Sequence, residues 1–499
     1  MKIGVKIGVA IPTYNKDLLL VNRCLRSIER QSRKPNLVAI SASQCGEEDI
    51  KIISQTYSFP LKIVHTYNAQ NAATNRNKAA NELSGMDIIT FVDSDDEMYE
   101  TRLEYLERAF SENKVDFVLH GYLICKSYEE SLLYKKLNME YTFFDNSILP
   151  NPTHCGVLVN PICVPDNKDI LTHGHISVRQ NIFEEHKYQE GSQYVLWEDA
   201  EYCRRLTDKG LRGGFLNCKL TKYHDYRETE EEMRLIKRVE DIYTKKICVA
   251  TYSDSKYLDR AKKTINDIRQ KAYYNGDIVL MTDGLFQVDE NYIKENRLLV
   301  KEFPDIDVSS LLQKIKAHPF VNSDKREYEK TKQWNKLYAF HAYLKQYDYV
   351  MFVDAGLRIF DSIEHFYPCF EKDSLVALDD GHPDFTKKFN CQIQLTNTVV
   401  VERLKEIYDI DSSYFLNCIF LYDTNIITDH TLSDLINMMN EYPICRTNEM
   451  GIMNIYFHKV WKPLNIYLQK NKILFDWSER GGNNWNVYIS LKYPTTFRD

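Results

Sequence analysis

The chain has 499 residues, more than one hydrophobic core usually serves, so two or more domains are expected. Its apolar share of 43% is ample for cores, and a net charge of −7 with no basic block excludes attraction to nucleic acid or to an anionic membrane surface. The 12 cysteines are scattered, with no CxxC and no Cys/His cluster at zinc spacing, which fits reduced thiols in a cytoplasmic setting. The opening "MKIGVKIGVAIPTYNK" mimics a signal sequence, but Lys6 interrupts its apolar stretch and no small-residue cleavage site follows. It reads as a first strand, Ile3 to Ile11, and no membrane-length apolar run occurs elsewhere, so no transmembrane segment is expected. Leu18, Val21, Leu25 and Ile28 then repeat at helical spacing, and Leu37 to Ala42 is strand-like again. Leu61 to Thr66, a helix over 71–83, a strand from Ile88 and a helix carrying Leu103, Leu106 and Phe110 continue an α/β series with a mostly parallel sheet. In such sheets ligands sit beyond the carboxyl ends of the strands.

At one such end the stretch "DIITFVDSDDEMYE" packs Asp93, Asp95, Asp96 and Glu97 into five positions. A turn and a helix cap would suffice to explain an isolated cluster of this kind, because Asp tolerates turn geometry and caps helices. Three other features lie in the same half. "NAATNRNKAANELSGMD" places Arg76 on or near the helix before the acidic strand, where a guanidinium meets a phosphate bidentately. The first strand ends in Pro12, Thr13, Tyr14 and Asn15, a polar loop with an aromatic face at the same edge, and "WEDAEYCRRL" comes much later.

These four elements, in this order over about residues 6 to 225, resemble the family 2 glycosyltransferases of the GT-A fold. The resemblance implies that Asp93 contacts the ribose or a metal and that Asp95 ligates the metal, with Pro12, Thr13, Tyr14 and Arg76 around a nucleotide-sugar. Two hard oxygen donors a residue apart suit Mn²⁺ or Mg²⁺, and a diphosphate needs that cation in an otherwise acidic site. Asp199, in the "ED" pair with Glu198, is implied as the general base, although helix-dipole stabilisation alone accounts for acidic residues in a first turn. Inversion at the anomeric carbon is implied, as is a third metal ligand at His224, where a packing role is the alternative. "LTHGHISVRQNIF" resembles the family's sugar and acceptor pocket, with His173 and His175 on one face touching sugar hydroxyls. One departure stands out: Ser41 and Ser43 occupy the end of the second strand, where the family usually has an acidic residue that reads the donor base. The nucleotide, conventionally UDP, is therefore open.

After the charged stretch 227–245, which reads as a solvated helical linker, the chain begins again. "KIGVAIPTYN" at 6–15 is echoed by "KICVATYSDS" at 246–255, and "IITFVDSDD" at 88–96 by "YVMFVDAGL" at 349–357. Two tandem GT-A domains are therefore expected, 1–226 and 246–499, with Thr251 and Tyr252 as counterparts of the first strand's ligand loop. Asp354 is the remaining metal ligand, since Gly356 replaces the second carboxylate. Trp334, Lys336 and Lys332 lie on a helical stretch within reach of a diphosphate, Asp379 and Asp380 fit an exposed turn, and "ERGGNNW" at 479–485 reads as a glycine loop.

The expected function is a bifunctional glycosyltransferase moving sugars from nucleotide-sugar donors to a glycan or glycoprotein acceptor, with no nucleic acid partner. The alternative leaves one active amino-terminal domain and a glycan-binding or scaffolding second half. A phosphohydrolase with a strand-end Asp nucleophile fits less well, because that Asp usually follows the first strand, which here ends in "PTYN".

Overall fold

The computed structural model describes residues 5–53, 57–126, 141–145, 175–191, 198–225, 228–272, 274–317, 331–359, 363–380, 387–446, 448–464, 473–476 and 488–491. The chain divides into two compact units, 1–240 and 241–499. His173, Trp197 and the 479–485 glycine loop lie outside the described residues.

In the first unit the strands are β1 (Ile7–Tyr14), β2 (Leu37–Ser43), β3 (Leu61–Thr66), β4 (Ile88–Phe91), β5 (Glu97–Met98), β6 (Phe117–Cys125), β7 (Phe143–Asp145), β8 (Ser177–Arg179) and β9 (Gly213–His224). They form one sheet in the order β3-β2-β1-β4-β8-β6-β9-β5, with β7 also on β9. The first four run parallel, but β8 pairs antiparallel with both β4 and β6. The sheet is thus mixed rather than mostly parallel. Sequence periodicity identifies a three-residue strand such as β8 poorly and carries no sign of its direction.

Strand alternation places Val9 and Ile11 in one apolar layer with Val21, Leu25, Leu103 and Leu106, and Ala10 in the other with Ile89, Phe91 and Phe183. The flanking helices are α1 (Leu18–Glu29), α2 (Ala72–Asn81), α3 (Arg102–Glu112), α4 (Gln180–Glu185) and α5 (Glu198–Asp208). On α2 the buried face carries Ala73, Ala79 and Ala80, small enough to bring the helix close to the sheet, and Asn71 caps its start by accepting from Thr74 N at 2.8 Å. Pro12 is tolerated in the central strand for a local reason. The Ala10 carbonyl accepts from Val92 N, so Pro12, two residues on, faces the same side, past the last residue of β1 paired with β4. Its missing N–H leaves no ladder bond unmade.

The charged stretch becomes α6 (Glu230–Tyr243). Within the first unit, Ile236 packs against Leu20 and Glu240 forms a bidentate ion pair with Arg26, at 3.1 Å to Nε.

The second unit has β10 (Ile247–Tyr252), β11 (Asp277–Thr282), β12 (Leu298–Glu302), β13 (Tyr349–Val353), β15 (Leu375–Asp379), β16 (Phe415–Asp423) and β17 (Trp461–Pro463) in the order β12-β11-β10-β13-β16-β15-β17. β14 (Arg358–Ile359) joins β18 (Ile473–Asp476) and β19 (Tyr488–Leu491) in a small separate sheet. The large sheet repeats the path of the first unit: three parallel pairings up to β13, an antiparallel strand β16 beside it, an antiparallel β15, then a parallel β17. The stretch from Thr331 to Phe340 is a 3-10 segment rather than an α-helix, and every residue from Trp334 to Phe340 is buried. Aromatic packing of Phe340 on Phe420 and Phe457, with centroids at 5.4 and 4.4 Å, holds it there.

Candidate active site

β4 stops at Phe91, and the chain turns sharply: Asp96 N donates to the Asp93 carbonyl at 3.1 Å, closing a four-residue turn. The turn brings side chains of like charge together at a strand end. Asp93 is partly exposed, whereas Asp96 is buried. Burial, then the neighbouring Asp96 and Asp93, push the Asp95 carboxyl up to about 8, and burial together with Asp93 raises Asp96 well above the ordinary range. Arg23 donates from Nη2 to the Asp95 carbonyl and steadies the turn from α1.

Beneath the turn lies a buried relay. Asp96 Oδ1 accepts from His224 N at 2.8 Å, and Asp96 Oδ2 lies 2.7 Å from His175 Nε2. The His175 Nδ1 faces Arg102 Nη1 at 3.4 Å; a guanidinium only donates, so Nδ1 accepts and the ring proton sits on Nε2, aimed at Asp96. Arg102 is wholly buried and also binds Thr90 Oγ1 (2.8 Å), the Phe91 carbonyl (2.7 Å), Thr221 Oγ1 (3.0 Å) and the His175 carbonyl (3.1 Å). Burial brings the His175 ring down to about 4 and the Arg102 guanidinium down to about 9. His175 thus serves the acidic turn from inside.

His224 is buried at the end of β9, with its ring 3.3 Å from Glu97 Oε1. Burial, then Arg23, lowers that ring to about 4. Burial works against the Glu97 charge, but Lys222, His224 and Arg30 outweigh it and hold the carboxyl low.

Arg76 is a buried strut. Its Nη2 lies 2.7 Å from Asp93 Oδ1, its Nη1 binds Glu198 Oε1 in the first turn of α5, and its guanidinium lies over the Tyr188 ring at 5.6 Å. Burial disfavours its charge, but Asp93, Tyr188 and Glu198 more than compensate, so it stays firmly protonated. Asp199 follows Glu198 in that first turn and is partly exposed. Asn75, beside Arg76, donates to the Thr13 carbonyl (3.2 Å) and to Ser43 Oγ (3.0 Å), and accepts from Ser41 Oγ (3.0 Å). Both serines are therefore spent inside. Pro12 and Thr13 are buried, the Thr13 Oγ1 has no hydrogen-bond partner among the described residues, and Tyr14 is exposed at the edge.

The acidic turn fits a divalent cation in its chemistry: hard oxygens, crowded, with the proton affinities of Asp95 and Asp96 raised in a way a cation would relieve. One donor atom each from Asp93, Asp96 and His175 lies within 4.8 Å of the others. In this set, which does not include Asp95, Asp96 and His175 are committed to each other and Asp93 is the carboxylate nearer solvent. Asp96, His175 and Arg102 escaped sequence reasoning as a group. One signal was present: Arg102 opens α3, where a cation opposes the helix dipole and needs a reason.

In the second unit Asp354 follows β13, and Lys336 holds both its oxygens, at 2.7 and 2.9 Å. Lys336 also reaches Glu449 Oε1 at 3.3 Å, in the first turn of the helix Glu449–Phe457, and Asn417 donates to that oxygen at 2.8 Å. Burial raises the Asp354 and Glu449 carboxyls against the pull of Lys336. Gly356 has φ +107°, a backbone that favours glycine. Thr251 is buried, and the Tyr252 hydroxyl accepts from Asn335 at 2.7 Å. Lys332 joins Asp283 (2.8 Å) to Asp305 (2.5 Å). Asp380 is buried against Lys387 at 3.0 Å rather than lying in an exposed turn, and Asp379 is half-buried at the end of β15.

Residues 8–163 match the family model described as Glycosyl transferase family 2. An uncharacterized glycosyltransferase of Haemophilus influenzae is 28% identical over 115 residues, which are 23% of this chain and 38% of that protein. The chain thus spans well under half the length of that relative. Among solved structures, S. aureus TarS 1–349 in complex with UDP is 19% identical, with a TM-score of 0.31 over 47% of this chain and 65% of that one. The same protein in complex with UDP-GlcNAc is 15% identical, with a TM-score of 0.32 over 48% and 66%.

Proposed function

We propose that the chain is a glycosyltransferase whose first unit transfers a sugar from a nucleotide donor, a UDP-sugar on the family resemblance, to a hydroxyl of a glycan or glycoprotein acceptor. The observation that carries this is the crowded acidic turn after β4, inside the stretch that matches Glycosyl transferase family 2. Asp93 and Asp95 would hold Mn²⁺ or Mg²⁺, which when bound neutralises the diphosphate of the donor. The rest is the work of the chain. Asp199 takes the proton of the acceptor hydroxyl as its oxygen bonds the anomeric carbon, and the bond from that carbon to the diphosphate oxygen breaks with inversion. Buried Asp96, held by His175 and His224, supports the turn from below.

The second unit repeats the path of the first sheet, which supports a tandem GT-A domain and a second linkage. A second reading makes this unit a non-catalytic glycan-binding or scaffolding module. Gly356, with its glycine conformation in place of a second carboxylate, favours it, as does Lys336, which holds both oxygens of Asp354 where Arg76 meets Asp93 Oδ1. Among the described residues no helix is long and apolar enough to cross a membrane. Of the ten described cysteines, eight are buried.

A screen of nucleotide-sugars with Mn²⁺ or Mg²⁺ tests the proposal. Transfer should depend on the added ion and fall about 10²–10⁴-fold in Asp199→Asn and comparably in Asp95→Asn. Turnover indifferent to chelation and to both substitutions overturns it.

A further inference from the structure

We infer that Arg76 and Glu198 form a clasp that positions the two reacting parts of the first unit, rather than Arg76 acting as a phosphate clamp; this rests on the function proposed above. Arg76 is 4% exposed, and its two Nη atoms are taken by carboxylates from different elements: Asp93 after β4, and Glu198 in the first turn of α5. Asp93 belongs to the turn that holds the cation ligands, and Glu198 immediately precedes Asp199. One side chain therefore sets the separation between the ion-binding turn and the base. An arginine suits this, since its planar fork reaches two carboxylates at fixed angles.

The second unit supplies an independent observation. There the residue 18 positions before the strand-end Asp354 is Lys336, as Arg76 stands 17 before Asp93. Lys336 joins Asp354 to Glu449, again a first-turn residue of a later helix. Each cation comes directly after an asparagine that ties down the end of the first strand of its sheet: Asn75 on the Thr13 carbonyl, Asn335 on the Tyr252 hydroxyl. The carboxylate–cation–carboxylate arrangement thus occurs twice at equivalent places in two sheets of the same path, with a different cation chemistry. The residues next to the two clasps differ. Asp199, beside Glu198, has Met450 as its counterpart beside Glu449, and Asp95 has Gly356. The second unit keeps the clasp without carboxylates at the positions of Asp199 and Asp95, so the clasp is a device of the shared framework.

The full chain tests this with Arg76→Lys, Arg76→Met, Glu198→Gln and the double Arg76→Met/Glu198→Gln. A clasp predicts that Arg76→Met and Glu198→Gln each lower kcat about tenfold or more with donor KM changed less than about threefold, and that the double variant is no worse than the poorer single. Arg76→Lys, which installs the cation of the second unit, should recover most of the loss. A phosphate clamp predicts instead a raised donor KM in Arg76→Met and Arg76→Lys, little effect of Glu198→Gln, and additive losses. Hydrogen exchange gives a readout that needs no turnover. Glu198→Gln should speed exchange of the amides at 93–97 across space while peptides of the second unit stay unchanged; loosening confined to 198–201 overturns the clasp. If the wild type transfers no sugar, the proposed function fails, and the exchange result still decides the clasp.

Discussion

Arg102 and His175 show how much of the acidic turn is made from residues that touch no solvent. Two folded rings, His175 and His224, are held by burial at about 4, against an ordinary value of 6.5. The unfolded chain protonates both near 6.5, so these two rings by themselves make stability rise with pH between about 4 and 6.5, while Asp95, pushed up to about 8, and Asp96 hold protons in the folded state across the same window and act in the opposite sense. The rings' share of the slope of melting temperature against pH is read by comparing the wild type with a variant that lacks one ring. His175→Gln should flatten part of that slope; wild-type and variant melting curves that stay parallel from pH 7 to 5 would show that the ring does not titrate in the unfolding equilibrium. Asp93, Asp95 and Arg76 were legible in the sequence as residue types, but their partners were not. The carboxylates that meet Arg76 lie 17 and 122 positions away, and no periodicity links them.

At the scale of elements, apolar runs bounded by polar loops revealed β1, β2 and β4, because a strand buried on both faces writes a nearly continuous apolar word, while the half-exposed edge strand β3 showed through Leu61, Ile63 and Val64. β8 and β16 were harder. Their antiparallel sense depends on where a long connection returns, which local pattern does not record. The 3-10 segment at 331–340 also departs from the expected α-helix, since its aromatic residues are buried by tertiary packing on every side. The turn after β13 resists repair of its lost carboxylate. Because Gly356 sits at φ +107°, restoring that carboxylate by Gly356→Asp places an L side chain in a disfavoured backbone. The variant should lose about 1–3 kcal/mol of stability and gain no Mn²⁺ affinity in titration calorimetry. Tight ion binding with unchanged melting would show that the turn adapts.

Across the whole molecule, the sequence echo between the halves is accompanied by the same order of strand pairings in the two large sheets. The echo was readable because strand-end residues recur in order, "VDSDD" and "VDAGL" most plainly. The difference in chemistry was only half readable: Gly356 announced a missing carboxylate, whereas the capture of Asp354 by Lys336 needed three dimensions. Comparing Asp95→Asn with Asp354→Asn in the full chain separates the readings of the second unit. If that unit transfers sugar, Asp354→Asn removes one of two products; if it binds or scaffolds, the single product forms at wild-type turnover.

The closed circuit of Ser41, Asn75 and Ser43 leaves the tip of β2 without a formal charge. On the proposed function, a heterocycle docking there meets only dipoles, which greet a ring N–H and a ring lone pair with nearly equal welcome. Such a rim favours tolerance among pyrimidine carriers, and places the burden of choosing a donor on whatever grips its sugar.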